Sequence, residues 1–287
     1  ENTAVGQAAL DLNTTGTRNS SLGVNALKSN TTGSHNIAIG YKALRDNTTG
    51  GNNVAIGNYA LEDISTATSN TALGYGAVQL NSTGSFNTGI GYFALNGRTA
   101  TSYNTAVGYQ ALALGTSGDN CTAVGSQALK NSTGFYNTAV GNNALLTNTS
   151  ASNNTALGWQ SLRNNTTGSS NTAIGSASLD ANTTGSHNIA IGHNSLTDNT
   201  TAENNTAVGS NTLDACTTGP RNVAVGSFAM TNSNTAEECV AIGQAAGFNI
   251  SNGHRNTFVG QSAGYSHTSG QDCVAVGRGA LQANTTT

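Results

Sequence analysis

The chain has 287 residues and is rich in small polar side chains, with 36 Gly, 40 Asn and 42 Thr against only 8% charged and 5% aromatic residues. These three residue types are poor helix formers, so the composition excludes a helical protein. Ten basic and thirteen acidic residues give a net charge of -3, and neither sign forms a block. We therefore expect neither nucleic acid nor an anionic membrane surface as a partner. No apolar run approaches the roughly 18 residues that a membrane-spanning helix needs, so we expect no membrane insertion.

A 17-residue repeat runs through the whole chain. Each copy carries an aliphatic residue followed by a glycine, and these glycines are Gly6, Gly23, Gly40, Gly57, Gly74, Gly91, Gly108, Gly125, Gly141, Gly158, Gly175, Gly192, Gly209, Gly226, Gly243, Gly260 and Gly277. Their spacing is 17 residues with one exception of 16, which we assign to a residue missing between Leu129 and Asn131. Numbered from its first asparagine, the consensus is N-T-A-V-G-x-x-A-L-x-x-N-T-T-G-x-x. The seventeen copies are called rungs.

A rung this short cannot fold alone and is stable only when it stacks on its neighbours. Each rung is expected to pair with the next as a parallel strand, at a spacing of about 4.8 Å. We therefore predict an all-β protein, a parallel β-solenoid of seventeen rungs that forms a single continuous domain over residues 1–287, as a segment of a longer fibre protein. The glycine and asparagine positions are predicted to form the corners, with asparagine amides bonding local backbone or the asparagine one rung away.

Two faces of the predicted strand carry different side chains. Position 4 is Val, Ile or Leu in every rung, and position 2 is Thr, Val, Ile or Ser, so we assign both to the interior together with the leucine of position 9. Position 3, on the opposite face, is Ala in fourteen rungs, which suggests that this second face is also buried. Copies of the chain in a homotrimer would cover it. The predicted intersubunit residues are Ala4, Ala38, Ala55, Ala72, Ala106, Ala123, Ala139, Ala156, Ala173, Ala190, Ala207, Ala224, Ala241 and Ala275.

The motif H-N-I-A-I-G, at residues 35–40 and 187–192, resembles the head repeats of trimeric autotransporter adhesins. The segments N-T-A-V-G-Y-Q-A-L at 104–112 and N-T-F-V-G-Q-S-A-G-Y-S at 256–266 also resemble repeats of phage tail-fibre and surface fibre proteins. The resemblance covers the whole chain. It implies a left-handed parallel β-roll, a tight homotrimer, an extracellular, cell-surface or virion-surface location, and a host-surface glycan or protein receptor as partner.

Aromatic residues gather at one corner of the repeat. Five occupy position 6 and two occupy position 7, and they are Tyr41, Tyr75, Tyr92, Tyr109 and Trp159, then Tyr59 and Phe93. Such a stripe could bind a ligand such as a glycan by stacking, or it could shield the turns or pack against a neighbouring subunit. The sequence leaves these alternatives open.

The four cysteines replace ladder asparagines, at position 1 for Cys121, Cys239 and Cys273 and at position 12 for Cys216. We interpret them as buried stand-ins for asparagine, with the alternative that equivalent cysteines of a trimer meet near its axis. The five histidines fall on scattered repeat positions and are interpreted as surface residues; they are His35, His187, His193, His254 and His267. Asp46 and Asp63 both occupy position 11 of adjacent rungs, where a weak cation site is conceivable.

No nucleophile motif, phosphate loop or dinucleotide fingerprint occurs, so we expect no enzyme activity and no cofactor. The leading hypothesis is a structural and adhesive part of an extracellular or virion surface fibre, which attaches to cells or surfaces. The first alternative is a filament subunit that stacks end to end. The second is an ice-binding solenoid, because positions 2, 13 and 14 form threonine columns.

Overall fold

The computed structural model describes residues 1–97 and 99–285, and within them every regular element is a three-residue β-strand. These residues fall into two compact units, Glu1–Asn142 and Asn143–Thr287. The strands of the first unit are β1 (Thr3–Val5), β2 (Ser20–Leu22), β3 (Ile37–Ile39), β4 (Val54–Ile56), β5 (Thr71–Leu73), β6 (Thr88–Ile90), β7 (Thr105–Val107), β8 (Thr122–Val124) and β9 (Thr138–Val140). Those of the second are β10 (Thr155–Leu157), β11 (Thr172–Ile174), β12 (Ile189–Ile191), β13 (Thr206–Val208), β14 (Val223–Val225), β15 (Val240–Ile242), β16 (Thr257–Val259) and β17 (Val274–Val276).

Within each unit, every strand pairs in parallel with the strand of the next rung. The register matches the repeat, so that Ala38 of β3 lies opposite Ala55 of β4, and Ala173 of β11 lies opposite Ala190 of β12. A parallel pair normally needs a long crossover, and here the remaining fourteen residues of the repeat supply it. The predicted all-β parallel β-solenoid is confirmed.

Backbone hydrogen bonds join neighbouring rungs outside the strands as well. The amide of Leu27 donates to the carbonyl of Ala43 at 2.9 Å, and that of Thr31 donates to Thr48 at 2.8 Å. Both bonds connect residues of adjacent rungs at the turns. Because buried backbone groups must be paired, this pattern explains how a coil with three-residue strands is stable.

The glycine of position 5 ends each strand with a backbone that other residues rarely adopt. Gly40 has φ 130°, and a Cβ atom there would lie 2.6 Å from the carbonyl oxygen of Gly57 in the next rung. Glycine is therefore required both by the left-handed conformation and by the close approach of the two adjacent rungs.

The prediction of which strand face points inward is wrong. The alanines of position 3 line the solenoid's own interior: from Ala38 onward they are 0–3% exposed, and Ala4, in the first rung, is exposed. They pack beside the leucine of position 9 and the alanine of position 8, such as Leu44 and Ala43, which are also fully buried. A side chain with no exposed surface in the single chain is not available to a partner, so the alanines do not form an intersubunit face.

The interior is narrow because a 17-residue coil encloses little volume. Leucine at position 9 and asparagines at positions 1 and 12 already occupy much of it, and the opposing strand can contribute only a small side chain. The larger Val, Ile and Leu of positions 2 and 4 consequently point outward.

The exceptions at position 3 show that it contacts position 9. Phe258 replaces Ala and is fully buried, while Gly247 and Gly264 replace Leu. A Cβ atom on Gly264 would lie 2.6 Å from Phe258 Cδ1, so the phenyl ring occupies the space that leucines fill elsewhere. Similarly, a Cβ atom on Gly89 would lie 2.5 Å from Cγ2 of Val78, which replaces Leu at position 9.

Left-handed backbone recurs at positions 7, 9 and 17, and not only at the glycines and asparagines that were expected to form corners. At position 9 the residue is usually leucine, as in Leu27 and Leu44 with φ 51° and 52°. A non-glycine residue in this region costs about 1–2 kcal/mol. Burial of the leucine side chain, at about 1.5–3 kcal/mol, offsets that cost.

The shortened rung loses its residue later than the sequence suggests. Ser132, not Asn131, is fully buried, and its amide donates to the carbonyl of Leu129 at 3.1 Å. In a regular rung the asparagine of position 12 makes this bond, as Asn30 does to Leu27. Ser132 therefore occupies position 12, and the missing residue follows it.

Candidate functional site

Each unit exposes a strand face, which we call the outer strand face and define as positions 2 and 4 of its strands. Position 4 is always Val, Ile or Leu, and position 2 is Thr in ten strands, Val or Ile in six and Ser in one. In the first unit, exposed members include Leu22 at 49% and Leu73 at 46%. In the second they include Leu157 at 45% and Val276 at 69%. No charged residue occupies either position. Soluble monomers rarely expose a continuous apolar surface of this kind, so the outer strand face is a candidate interaction surface.

Six of the predicted aromatic residues form a continuous row in the first unit, which we call the aromatic ladder: Tyr41, Tyr59, Tyr75, Tyr92, Phe93 and Tyr109. From Tyr41 to Tyr109, the ring centroids of successive tyrosines are 5.3–5.7 Å apart. The predicted stripe is thus a set of rings in contact. Trp159 lies in the second unit, where its side chain is 53% exposed.

The rings adopt two orientations. Tyr75, Tyr92 and Tyr109 are stacked, with interplanar angles of 13° and 12°. Tyr59 lies at 85° and 67° to its neighbours, and Phe93 lies at 73° and 62°. Offset-stacked and edge-to-face contacts are both favourable, so the ladder is a preorganised surface.

Glycine makes room for one of these rings. A Cβ atom on Gly76, at position 7, would overlap the ring of Phe93, which belongs to the next rung. Phe93 can therefore reach both Tyr75, at 5.5 Å, and Tyr92, at 4.4 Å between centroids. Sequence reasoning found the aromatic residues but missed this glycine.

An ion cluster borders one end of the ladder. The ammonium group of Lys42 lies 5.2 Å and 5.5 Å from the ring centroids of Tyr41 and Tyr59, and 3.7 Å from the buried carboxylate of Glu62. Cation–π contacts of this kind contribute about 0.5–1 kcal/mol at exposed sites.

The weak cation site that the sequence makes conceivable at Asp46 and Asp63 is occupied by an arginine. Arg45 forms ion pairs with Asp46, Asp63 and Glu62. The Asp46 hydrogen bond and these carboxylates raise the pKa of Arg45 above its usual value, while burial and the charge of Glu62 raise the pKa of Asp63. Among the described residues, no group of three or more His, Cys, Asp or Glu is placed to hold a metal ion.

Buried asparagine ladders connect the rungs, as predicted. At position 12, the side-chain amide of Asn30 donates to Asn13 Oδ1 at 2.8 Å and to the carbonyl of Gly33 at 2.9 Å. At position 1, the backbone amide of Asn36 donates to Asn19 Oδ1 at 2.9 Å. These bonds satisfy polar groups that would otherwise be costly to bury.

The cysteines fit the same ladders. Cys121, Cys216 and Cys239 are buried, which confirms their interpretation as stand-ins for asparagine, while Cys273 is half-buried. Cys216 Sγ donates to the carbonyl of Gly219 at 3.4 Å, and burial raises the pKa of this thiol to about 11. Burial also raises the pKa of Cys239.

One histidine departs from the expected surface location. His35, His187 and His193 are exposed, and His254 is half-buried. His267 is fully buried at position 12, 5.3 Å from the ring of Phe258, and neither of its ring nitrogens has a hydrogen-bond partner.

The hydroxyls of position 13 have a structural role. Thr31 Oγ1 donates to the carbonyl of Thr48 at 3.0 Å, and Thr48 Oγ1 donates to that of Ser65 at the same distance. Thr166 and Thr183 repeat the pattern in the second unit. Hydroxyls that already donate to backbone are poorly suited to an ordered ice lattice.

These surfaces and the repeat define the chain as a β-solenoid repeat protein. Comparison with protein-family models and with curated proteins finds no match to it. Among the described residues, no helix has the length and apolar character needed to cross a bilayer.

Proposed function

We propose that this β-solenoid is a structural and adhesive part of an extracellular or virion surface fibre, in which copies of the chain associate through the outer strand face. The observation that carries the proposal is the unbroken row of Val, Ile or Leu at position 4, which faces outward on the strands of both units. A water-exposed row would carry charged or polar residues, whereas position 4 carries none in any rung.

A second copy of the same chain is the partner that fits this face. The row repeats with the period of the solenoid, so another solenoid offers a face of the same length and spacing, and symmetry lets each copy use the same surface. Because no charged residue occupies positions 2 and 4, two such faces can come together without the cost of desolvating charged groups. Three copies around one axis would cover the face of each, and a homotrimer is the assembly that we propose.

The interior alanines support this arrangement indirectly. Because Ala38 and its equivalents fill the solenoid core, the larger side chains of positions 2 and 4 are free for contacts with other copies. In the proposed trimer, position 3 packs within each chain, and positions 2 and 4 pack between chains.

The native mass of the purified chain tests the proposal, measured by light scattering after size exclusion. A mass near three times 28.8 kDa supports the trimer. The matched variants are Ile39→Lys and Ile191→Lys on the outer strand face, with Ser34→Lys, on a half-buried corner, as the control. We expect the first two to lower the mass and the control to leave it unchanged. A monomeric wild-type chain would refute the proposed assembly.

A further inference from the structure

The aromatic ladder is confined to one part of the repeat array. Position 6 is aromatic in four of the five rungs from Tyr41 to Tyr109, whereas in the second unit it carries Trp159 and then Ser176, His193, Ser210, Ser227, Gln244, Gln261 and Arg278. The outer strand face, in contrast, is present in both units. If subunit contacts required aromatic residues at position 6, the second unit would need them as well. The ladder therefore has a local role that assembly does not explain.

The tyrosines present both rings and unpaired hydroxyls to the solvent. The side chains of Tyr41, Tyr75, Tyr92 and Tyr109 are 39–49% exposed. None of the ladder phenol oxygens has a hydrogen-bond partner in the described part of the chain. A row of such groups offers apolar area together with donors and acceptors, at low entropic cost.

This chemistry matches a polyhydroxylated ligand. Sugar rings pack their C–H faces on aromatic rings and pair their hydroxyls with phenols. Tyr59 and Phe93 are the two rings that lie across the stack, and they are two rungs apart, about 10 Å by the strand spacing. In an extended β-1,4-linked glycan each sugar advances by about one rung, and the same sugar face recurs at every second residue, which matches this spacing.

The adjoining charges do not favour acidic glycans. The cluster contains the carboxylates of Asp46, Glu62 and Asp63 against the cations of Lys42 and Arg45, which leaves an excess of one negative charge beside the ladder. Both cations of the cluster are paired with these carboxylates, so neither is free to attract a uronate or sialate chain, whereas a neutral chain needs no such charge.

We infer that the aromatic ladder is a binding site for a neutral, extended β-1,4-linked glycan. This inference rests on the proposed adhesive function, because it supplies the contact surface that such a fibre needs. The other occupant that the geometry admits is a second copy of the chain, and the experiment separates the two.

The test titrates the wild-type chain with cellohexaose and chitohexaose by calorimetry, with the α-linked maltohexaose as a linkage control. The ladder variant is Tyr59→Ala combined with Phe93→Ala, which removes the two rings that match the spacing of the sugars. The matched control is Tyr136→Ala, because Tyr136 is 61% exposed in the same unit and lies outside the ladder. A third variant, Tyr92→Phe, keeps the ring and removes one hydroxyl. Circular dichroism checks that each variant is folded.

We expect at least one of the two β-1,4-linked hexasaccharides to bind, and the ladder variant to weaken that binding by at least about tenfold, since each aromatic contact contributes about 0.5–1.5 kcal/mol beyond its buried area. Tyr92→Phe should lie between the wild type and the ladder variant, and Tyr136→Ala should match the wild type. Absence of binding to both hexasaccharides would overturn the inference, as would binding that the ladder variant leaves unchanged.

The native mass of the ladder variant keeps this inference distinct from the proposed assembly. If the variant loses the oligomeric state of the wild type, the ladder is a subunit contact and the glycan site is refuted. If the wild-type chain is monomeric but binds the glycan through the ladder, the assembly fails and the glycan site stands.

Discussion

The exchange of side-chain volume around Phe258 gives a quantitative test of the interior packing. Phe258→Ala removes a fully buried ring. The glycines on either side, Gly247 and Gly264, have no side chains with which to fill the space. Buried Phe→Ala substitutions cost about 3–5 kcal/mol, and we expect a value in the upper half of that range because the site cannot collapse.

The complementary substitution adds the leucine that other rungs carry. In Gly264→Leu the new Cβ atom would lie 2.6 Å from Phe258 Cδ1, so this variant alone should be destabilised by overpacking, by about 1–3 kcal/mol or more. The backbone itself tolerates leucine, because Gly264 has φ 62° and leucines of position 9 have φ near 51°. Phe258→Ala combined with Gly264→Leu restores the consensus pair of alanine and leucine. This double variant should recover at least half of the unfolding free energy that Phe258→Ala loses.

The assay is equilibrium unfolding in guanidinium chloride, with hydrogen exchange of the amides of β15 and β16 as a local probe. We expect a favourable coupling free energy of at least about 3 kcal/mol between the two sites, which is the top of the range for residues in contact. If the double variant is as unstable as the sum of the single variants, positions 3 and 9 do not share one cavity and the assignment of the interior is refuted.

Three further predictions test other parts of the interior and surface. Val78→Leu should lower the unfolding free energy, because Gly89 leaves space for Cγ2 of Val78 and not for a leucine. Adding Gly89→Ala restores the consensus pair and should recover part of that loss, and additive changes in unfolding free energy would contradict this. Cys216, whose burial raises its pKa to about 11, should react with iodoacetamide at least about 100-fold more slowly than half-buried Cys273 in the folded chain, and equal rates would contradict its burial. Burial raises the pKa of Asp214 in the folded chain. The wild type therefore loses unfolding free energy as the pH rises from the unfolded-state pKa of Asp214 to its folded-state pKa, and Asp214→Asn should become more stable relative to the wild type across that interval. A difference in unfolding free energy that does not change with pH would contradict the assignment.

The aromatic ladder was predictable in part because the repeat fixes the positions of its residues. A constant period and parallel pairing place Tyr75, Tyr92 and Tyr109 in one column, one rung apart. The contacts of Phe93 depend on the missing side chain of Gly76 in the preceding rung, so they follow from a pair of rungs and not from the repeat position of Phe93 alone. His267 occupies position 12, the buried ladder position of Asn30 and Cys216, so its repeat position already indicated its burial.

The period of 17 residues by itself determined the fold class, the parallel register and the stacking of asparagines, because each rung can satisfy its backbone only by bonding to an identical neighbour. Which strand face points inward was decided by the tertiary structure. One face carries alanine and the other carries uncharged Thr or aliphatic residues, so alternation alone cannot distinguish them. The choice depends on the volume left by position 9 across the coil, which admits the alanine of position 3 and turns the larger side chains of positions 2 and 4 outward.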